Sequence, residues 1–138
     1  MVLTLHDKSS YLKGLLILVG KDKIIAEHER TLLTEVSKIL GFDPKFCNDA
    51  INELLENEYI IEEPPKFSDK EIAKSFIKDG IKIAFADKVL HLYELNWLKA
   101  VSDKNEIEDG WGMTEFENYK NSNLNSSSKM DFEISKLV

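Results

Sequence analysis

The sequence predicts an all-α fold: a compact helical bundle of five to seven helices with a pseudo-repeat of helix pairs. Apolar residues recur with the period of an α-helix in nearly every segment. Residues that favour helix ends, such as Asp, Ser, Pro and Gly, stand where these segments break. No segment shows the alternation of a half-buried strand. A length of 138 residues suits one domain with its own core and is short for two.

Two helices are predicted in the first third of the chain. The first, about residues 8–20, is apolar on most sides and is therefore expected to be buried. The second, about 27–40, carries one apolar face and ends before Gly41, a residue suited to the left-handed conformation that follows many helices. The apolar positions that define these helices are Leu12, Leu15, Leu16 and Val19, followed by Leu32, Leu33, Val36, Ile39 and Leu40.

Capping residues predict where the third and fourth helices begin. Asp43 and Pro44 start the third helix, because Asp accepts from open amides and Pro tolerates the first helical position. A connector broken by two prolines follows. Ser68 and Glu71 then predict a capping box at the start of the fourth helix, about 69–86, in which each side chain satisfies an amide.

The remaining helices are predicted from their apolar faces. Gly80 lies inside the fourth helix and indicates a close helix–helix contact, since Gly in a helix costs about 1 kcal/mol against Ala. A fifth helix spans about 91–103, and a short sixth helix about 113–121, with Trp111 as its anchor on the bundle. The fifth helix is expected to bury Leu95, Leu98, Val101 and Trp97.

A change in composition divides the chain near its end. We assign residues 1–120 to the helical bundle and residues 121–138 to a polar linker and C-terminal tail. The stretch NSNLNSSS is polar and of low complexity, which is typical of a linker. The final KMDFEISKLV has enough apolar residues to dock on the bundle, and could equally be a mobile tail.

Bulk properties exclude several classes of function. The net charge of −7 disfavours nucleic acid as a partner, because an acidic surface repels phosphate backbones. Cys47 is the only cysteine, so one chain can form neither a disulfide nor a multi-thiolate zinc site. The longest apolar run is interrupted by Lys13 and is shorter than the ~20 residues that a membrane span needs. We therefore expect a cytoplasmic protein without direct membrane insertion.

One acidic pattern occurs twice, each time at the break between an apolar helix and an amphipathic one. Asp22 precedes Glu29 by seven residues, and Asp87 precedes Glu94 by the same interval. A Lys directly follows each Asp, and an apolar residue stands three positions after each Asp. The copies are 65 residues apart (87 − 22). The pattern therefore belongs to the predicted pseudo-repeat.

The two acids of each copy differ in what explains them. A Glu in the first turn of a helix is favoured by the helix dipole by about 0.3–1 kcal/mol, whereas an Asp at a helix C-terminus is disfavoured by a similar amount. If the two helix pairs pack around a pseudo-twofold axis, the four carboxylates converge and raise one another's pKa unless a cation offsets them. Hard oxygen ligands of this kind suit Ca²⁺ or Mg²⁺.

The two copies, KDKIIAEHE and ADKVLHLYE, resemble the repeated helix break of the TerB-like family of tellurite-resistance proteins, which also includes a membrane-proximal domain of DnaJ-like proteins. The resemblance covers about residues 8–118. It implies a compact helical bundle whose acidic breaks bind a divalent cation. Carried over to this chain, the implied metal ligands are Asp22, Glu29, Asp87 and Glu94.

This chain departs from the family pattern at one position of each copy. Lys23 and Lys88 stand where the family usually has Gly. A Gly at that position allows a positive φ, which Lys adopts only with strain. A Lys beside each Asp can also neutralise that Asp.

Three functions remain open at this stage. The first is a non-enzymatic TerB-like domain that binds a divalent cation in a tellurite-type stress response. The second is a protein-interaction or self-association bundle, with a protein partner or a homo-oligomer, in which the four acids only cap helices and face solvent. An enzyme ranks third, because no nucleophile–base pair stands out, although carboxylates can support hydrolysis with the help of a metal.

Overall fold

A computed structural model describes residues 2–20, 23–57, 59, 62–122 and 131–138, and of Asp87 only the main chain. These residues form six α-helices and two 3-10 turns, and they contain no strand, so the all-α prediction is confirmed. The elements in chain order are α1 Leu5–Gly20, α2 Glu27–Ile39, α3 Pro44–Glu56, α4 Lys70–Ala84, the 3-10 turn Phe85–Asp87, α5 Leu92–Lys104, α6 Trp111–Ser122 and the 3-10 turn Glu133–Lys136.

The helix starts repeat for the pairs that the sequence predicted, and each half also contains a third helix, α3 or α6. Helix α4 begins 65 residues after α1 (70 − 5), and α5 begins 65 residues after α2 (92 − 27). The turns after α2 and α5 also match, because Gly41 and Glu106 both have positive φ, at 89° and 56°. We call α1–α3 the first half and α4–α6 the second half.

Helices α1 and α4 pack against each other at the centre, and the other helices surround them. Gly80 allows this packing, because a Cβ there would lie 2.8 Å from Leu98 and 3.1 Å from Leu18. The predicted close contact at Gly80 is thus confirmed. The indole Nε1 of Trp97 donates to the Gly14 carbonyl at 3.0 Å, which ties α5 to α1.

Three helix starts show how local hydrogen bonds set the boundaries. Asp43 caps α3 as predicted and accepts from the Lys45 amide at 2.8 Å. The capping box predicted with Ser68 is wrong, since α4 is capped one residue later by Asp69, which accepts from the Glu71 amide. The predicted start of α1 near residue 8 is late, because Thr4 and Asp7 exchange reciprocal backbone–side-chain hydrogen bonds and start the helix at Leu5.

Burial follows the predicted faces of the named positions with two exceptions, of which the first is Ile39 of α2, which is half-buried. Trp97, Leu98 and Val101 are buried, whereas Leu95 is only half-buried. Cys47 is fully buried, as expected for a small apolar residue of α3. Among the described helices, none combines the length and the apolar character needed to cross a membrane.

The alternatives left open for the last residues are resolved by the structure, since residues 131–138 dock on the bundle. Phe132 is 3% exposed and Ile134 is fully buried. The 3-10 turn that contains Ile134 contacts α4 and α2. The first two residues of the predicted linker NSNLNSSS, Asn121 and Ser122, belong to α6, so the bundle extends two residues past the predicted boundary at 120. The rest of that stretch lies outside the described residues. We refer below to residues 131–138 as the docked segment.

Candidate functional site

The Lys that follows each predicted Asp has the same main-chain conformation in the two breaks. Lys23 and Lys88 both have positive φ, at 64° and 68°. The amide of each Lys donates to the carbonyl three residues earlier, on Gly20 and Phe85, at 2.9 Å in both cases. The conformation for which Gly is favoured is therefore present in both copies, and a Lys adopts it at some cost in strain.

The two glutamates of the pattern also occupy equivalent positions. Glu29 accepts from the Ala26 amide at 3.0 Å, and Glu94 accepts from the His91 amide at 2.9 Å. Each Glu thus stands in the first turn and covers the amide that precedes its helix, which is half of a capping box. Glu94 is 1% exposed, whereas Glu29 is half-buried.

The other two predicted ligands cannot be placed. Asp22 lies outside the described residues, and of Asp87 only the main chain is described. Within the residues that the structure does describe, no three His, Cys, Asp or Glu side chains gather as a metal site would require. Of the four predicted ligands, the structure locates Glu29 and Glu94 only.

The lysines that replace Gly are held in different ways. Lys23 Nζ donates to the main-chain carbonyls of Leu54 and Asn57, at 2.6 and 3.0 Å, and so satisfies the C-terminal end of α3. Lys88 Nζ lies 5.9 Å from the centre of the Phe85 ring, within the range of a cation–π contact. The Lys23 ammonium group is thus engaged with α3 carbonyls.

A second polar cluster, which the sequence analysis missed, surrounds Asp79 in the middle of α4. The side chain is fully buried and accepts from the Tyr11 hydroxyl at 2.6 Å. It also accepts from the main-chain amides of Glu133 and Ile134, at 2.7 and 3.1 Å. Ser75 completes the cluster, with its hydroxyl 2.8 Å from that of Tyr11. Asp79 therefore joins α1, α4 and the docked segment.

The sequence did contain a signal for this cluster. Ile72, Phe76, Asp79 and Ile83 follow one another at intervals of four, three and four residues, the spacing of one helix face. A carboxylate within such an apolar stripe is seldom buried without partners. The donors came from α1 and from residues more than fifty positions later, so the sequence could flag Asp79 without naming its partners.

A basic residue at the edge of the cluster holds the docked segment from outside. Lys82 Nζ donates to the Asp131 carbonyl at 2.6 Å and lies 3.2 Å from a Glu133 carboxylate oxygen. Lys136 lies 3.0 Å from the other oxygen of Glu133. Burial raises the pKa of Glu133, but its bonds to Lys136 and Lys82 outweigh that effect and lower the pKa below its ordinary value.

Burial also shifts the titration of the two groups at the centre of the cluster. Burial raises the pKa of Asp79 to about 6, although hydrogen bonds from Tyr11 and two amides, and the charge of Lys82, act in the opposite direction. The pKa of Tyr11 is raised by burial and then by the charge of Asp79. Tyr11 is therefore a hydrogen-bond donor at neutral pH.

An apolar cavity opens between α4, α5 and α6 in the second half. Its volume is about 570 Å³, and its walls combine apolar side chains with a polar rim that includes Lys99, Asp103 and Asp109. The volume falls in the range of small-molecule sites. The apolar lining comes from Ile77, Ile81, Leu92, Leu95, Leu98, Met113 and Phe116.

Comparison with known proteins adds no family assignment. No protein-family model matches the chain, and no curated protein or solved structure matches it at a significant level. The TerB-like resemblance therefore remains a prediction from the two helix breaks.

Proposed function

We propose that this chain is a non-enzymatic helical module whose two helix breaks bind a divalent cation, Ca²⁺ or Mg²⁺, through Asp22, Glu29, Asp87 and Glu94. The resemblance to TerB-like proteins supports a role in a tellurite-type stress response as part of this proposal. The observation that carries the proposal is the repeated main-chain conformation at Lys23 and Lys88.

Strain explains why that observation supports a functional break. A left-handed conformation costs a residue other than Gly, Asn or Asp about 1 kcal/mol or more. Strained backbone is concentrated at binding and switch sites, where the surrounding structure holds it in place. Here the same strained position occurs in both halves, next to an Asp and six residues before a Glu. Oxygen ligands supplied by turns and carboxylates suit Ca²⁺ in particular.

A thermal melt of the EDTA-treated protein tests the proposal directly. Melts are recorded without metal and with millimolar Ca²⁺, Mg²⁺, Mn²⁺ or Zn²⁺. An ion present at a hundred times its dissociation constant stabilises the folded state by about 2.7 kcal/mol, which raises the melting temperature by roughly 5–10 °C for a chain of this size. We expect a saturable rise with Ca²⁺ or Mg²⁺.

Two variants and a matched control locate the site. Asp22→Asn and Asp87→Asn should each remove the metal-dependent rise, because each replaces a charged ligand. Asp109→Asn changes an exposed acid outside the breaks and should leave the rise intact. No shift with any ion, or an equal loss in all three variants, would mean that the acids serve only to cap helices and face solvent.

Self-association is the second candidate function, and a different observation favours it. Phe132 and Ile134 of the docked segment are buried, and Glu133 pairs with Lys82, which supports a role for its site in binding a peptide. A bundle with such a site can join copies of itself without a metal. Sedimentation velocity over a range of protein concentrations, in EDTA, separates this candidate from cation binding.

A further inference from the structure

The site that holds the docked segment has the construction of a peptide-binding groove. Its walls come from α4 and α2, and its floor contains Asp79. The peptide contributes two main-chain amides to one buried carboxylate and two buried side chains, Phe132 and Ile134. Main-chain bonds together with pockets for alternate side chains are the usual basis of peptide recognition.

Emptying the groove would raise the free energy of the folded protein, so the groove is expected to be occupied. Without the segment, Asp79 would lose two of its hydrogen-bond donors while remaining in the protein interior. The apolar pockets for Phe132 and Ile134 would face water. The same segment from another chain can supply the same two amides and the same two buried side chains to the groove.

The chain between α6 and the docked segment is long enough to reach a neighbour. Eight residues separate Ser122 from Asp131, and an extended chain spans about 3.3–3.6 Å per residue, or roughly 25–30 Å. That distance is about the diameter of a small domain. The segment between α3 and α4 has no such reach, since its buried Phe67 lies only three residues before the first residue of α4.

We infer that the groove around Asp79 is a peptide-binding site whose second occupant is residues 131–138 of another copy of this chain, so that two copies associate by exchanging their docked segments. This inference deepens the self-association candidate and does not involve the cation. Docking within one chain benefits from an effective concentration of about 1 mM, so the exchanged dimer competes only in concentrated solution.

A charge reversal across the groove makes exchange measurable at lower concentration. Lys82 and Glu133 form the partly buried ion pair at the groove edge, 3.2 Å apart. Lys82→Glu and Glu133→Lys each place like charges together within one chain. When the two variants are mixed, an exchanged heterodimer pairs opposite charges in both grooves. We expect the mixture to dimerise about 100-fold more tightly than either variant alone, with roughly tenfold from each restored pair.

The double variant Lys82→Glu with Glu133→Lys is the matched control, because it restores opposite charges within one chain. We expect it to remain monomeric, with the mixture forming heterodimers detected by native mass spectrometry and light scattering near 100 µM. A mixture that stays monomeric up to 1 mM while both variants are folded by circular dichroism overturns the inference. Equal dimerisation of the double variant also overturns the inference, and it would indicate self-association through another surface.

A synthetic peptide provides a second measurement that does not depend on the charge variants. The full chain with Phe132→Ala holds its own segment weakly, so a dye-labelled peptide DFEISKLV should bind it at least tenfold more tightly than it binds the unmodified chain. The same peptide with Ala in place of Phe should not bind. Absence of binding to a folded Phe132→Ala chain would show that the groove does not accept this segment from outside.

Discussion

The two halves of the molecule are each followed by a segment that packs on the central helix of that half, but the carboxylates that these segments contact differ in position. Each half is followed by a segment that buries a Phe, Phe67 in the first and Phe132 in the second, 65 residues apart (132 − 67). The next residue of each segment donates its amide to a buried carboxylate on the central helix. Ser68 donates to Asp7 at 2.9 Å, whereas Glu133 donates to Asp79 at 2.7 Å.

The carboxylates themselves are not at equivalent positions of the repeat. The position equivalent to Asp79 is Gly14 (79 − 65), which lies seven residues after Asp7 on α1. Seven residues are about two helical turns, so both acids lie on the same face of their helices. The amide donors Ser68 and Glu133 are therefore at equivalent positions of the repeat, whereas the acceptors Asp7 and Asp79 differ in position by about two helical turns.

The pKa values of the two carboxylates are shifted in opposite directions. Burial raises the pKa of Asp7, but hydrogen bonds from Ser68 and Thr4 outweigh it, so the net pKa is lowered. At Asp79, in the middle of α4, burial dominates and the net pKa is raised to about 6. Three donors, the Thr4 amide and the amide and hydroxyl of Ser68, keep Asp7 charged at the start of its helix. The three donors to Asp79 do not offset its burial within α4.

The largest expected effect is the loss of either buried Phe. Phe67→Ala and Phe132→Ala should each lower the free energy of unfolding by about 3–5 kcal/mol, because each leaves a cavity in the core. Urea unfolding followed by circular dichroism measures both. Phe46→Ala, at a position that is 49% exposed, is the control and should cost much less. A cost below about 1 kcal/mol for Phe132→Ala alone would show that the two segments are not equivalent in stability.

An intermediate effect is expected from acidification. The pKa of Asp79 is higher in the folded state than in the unfolded chain, so the folded state binds more protons between the two values. Stability from Asp79 is thus greatest at low pH and is lost as pH rises through about 6. Going from pH 7 to pH 5 should raise the free energy of unfolding by about 1 kcal/mol through this group.

Asp79→Asn is the control for this pH dependence. The variant should be less stable overall, because its amide cannot accept as well from two main-chain amides, but the gain between pH 7 and pH 5 should disappear. Below pH 4 both proteins should lose stability, since the lowered pKa values of Asp7 and Glu133 contribute stability only while these groups are ionised. An unchanged slope in the variant would assign the pH dependence to another group.

The smallest expected effect compares the strained lysines of the two halves. Lys88→Gly should stabilise the protein by about 0.5–1 kcal/mol, because Gly accepts the left-handed conformation freely. Lys23→Gly should gain less or nothing, since it also removes two hydrogen bonds to α3 carbonyls. Thermal melts compare the two with Lys99→Gly, a helical position where Gly is expected to destabilise. Equal effects at the two breaks would contradict a structural role for the Lys23 ammonium group.

Local signals in the sequence predicted much of this structure correctly. The 3.6-residue period found six helices, and Asp43 and Gly80 were interpreted correctly because a cap and a close contact depend on near neighbours or on size alone. The capping box at Ser68 failed because that side chain donates to Asp7, which lies 61 residues away. Of the predicted metal ligands, Glu29 and Glu94 hold the helix-start positions expected of them, whereas Asp22 and the side chain of Asp87 lie outside the part of the chain that the structure describes.

By itself, the sequence determined the helical class, the 65-residue spacing of the two breaks and the burial of α1, because each is encoded by residues close together in the chain. Only the tertiary structure decided that residues 131–138 dock and that Asp79 accepts from Tyr11 and from the docked segment. These features depend on donors and acceptors 54 to 68 positions apart, and no local pattern encodes which distant donor will meet a buried carboxylate. Packing and the need to satisfy every buried polar group make that choice.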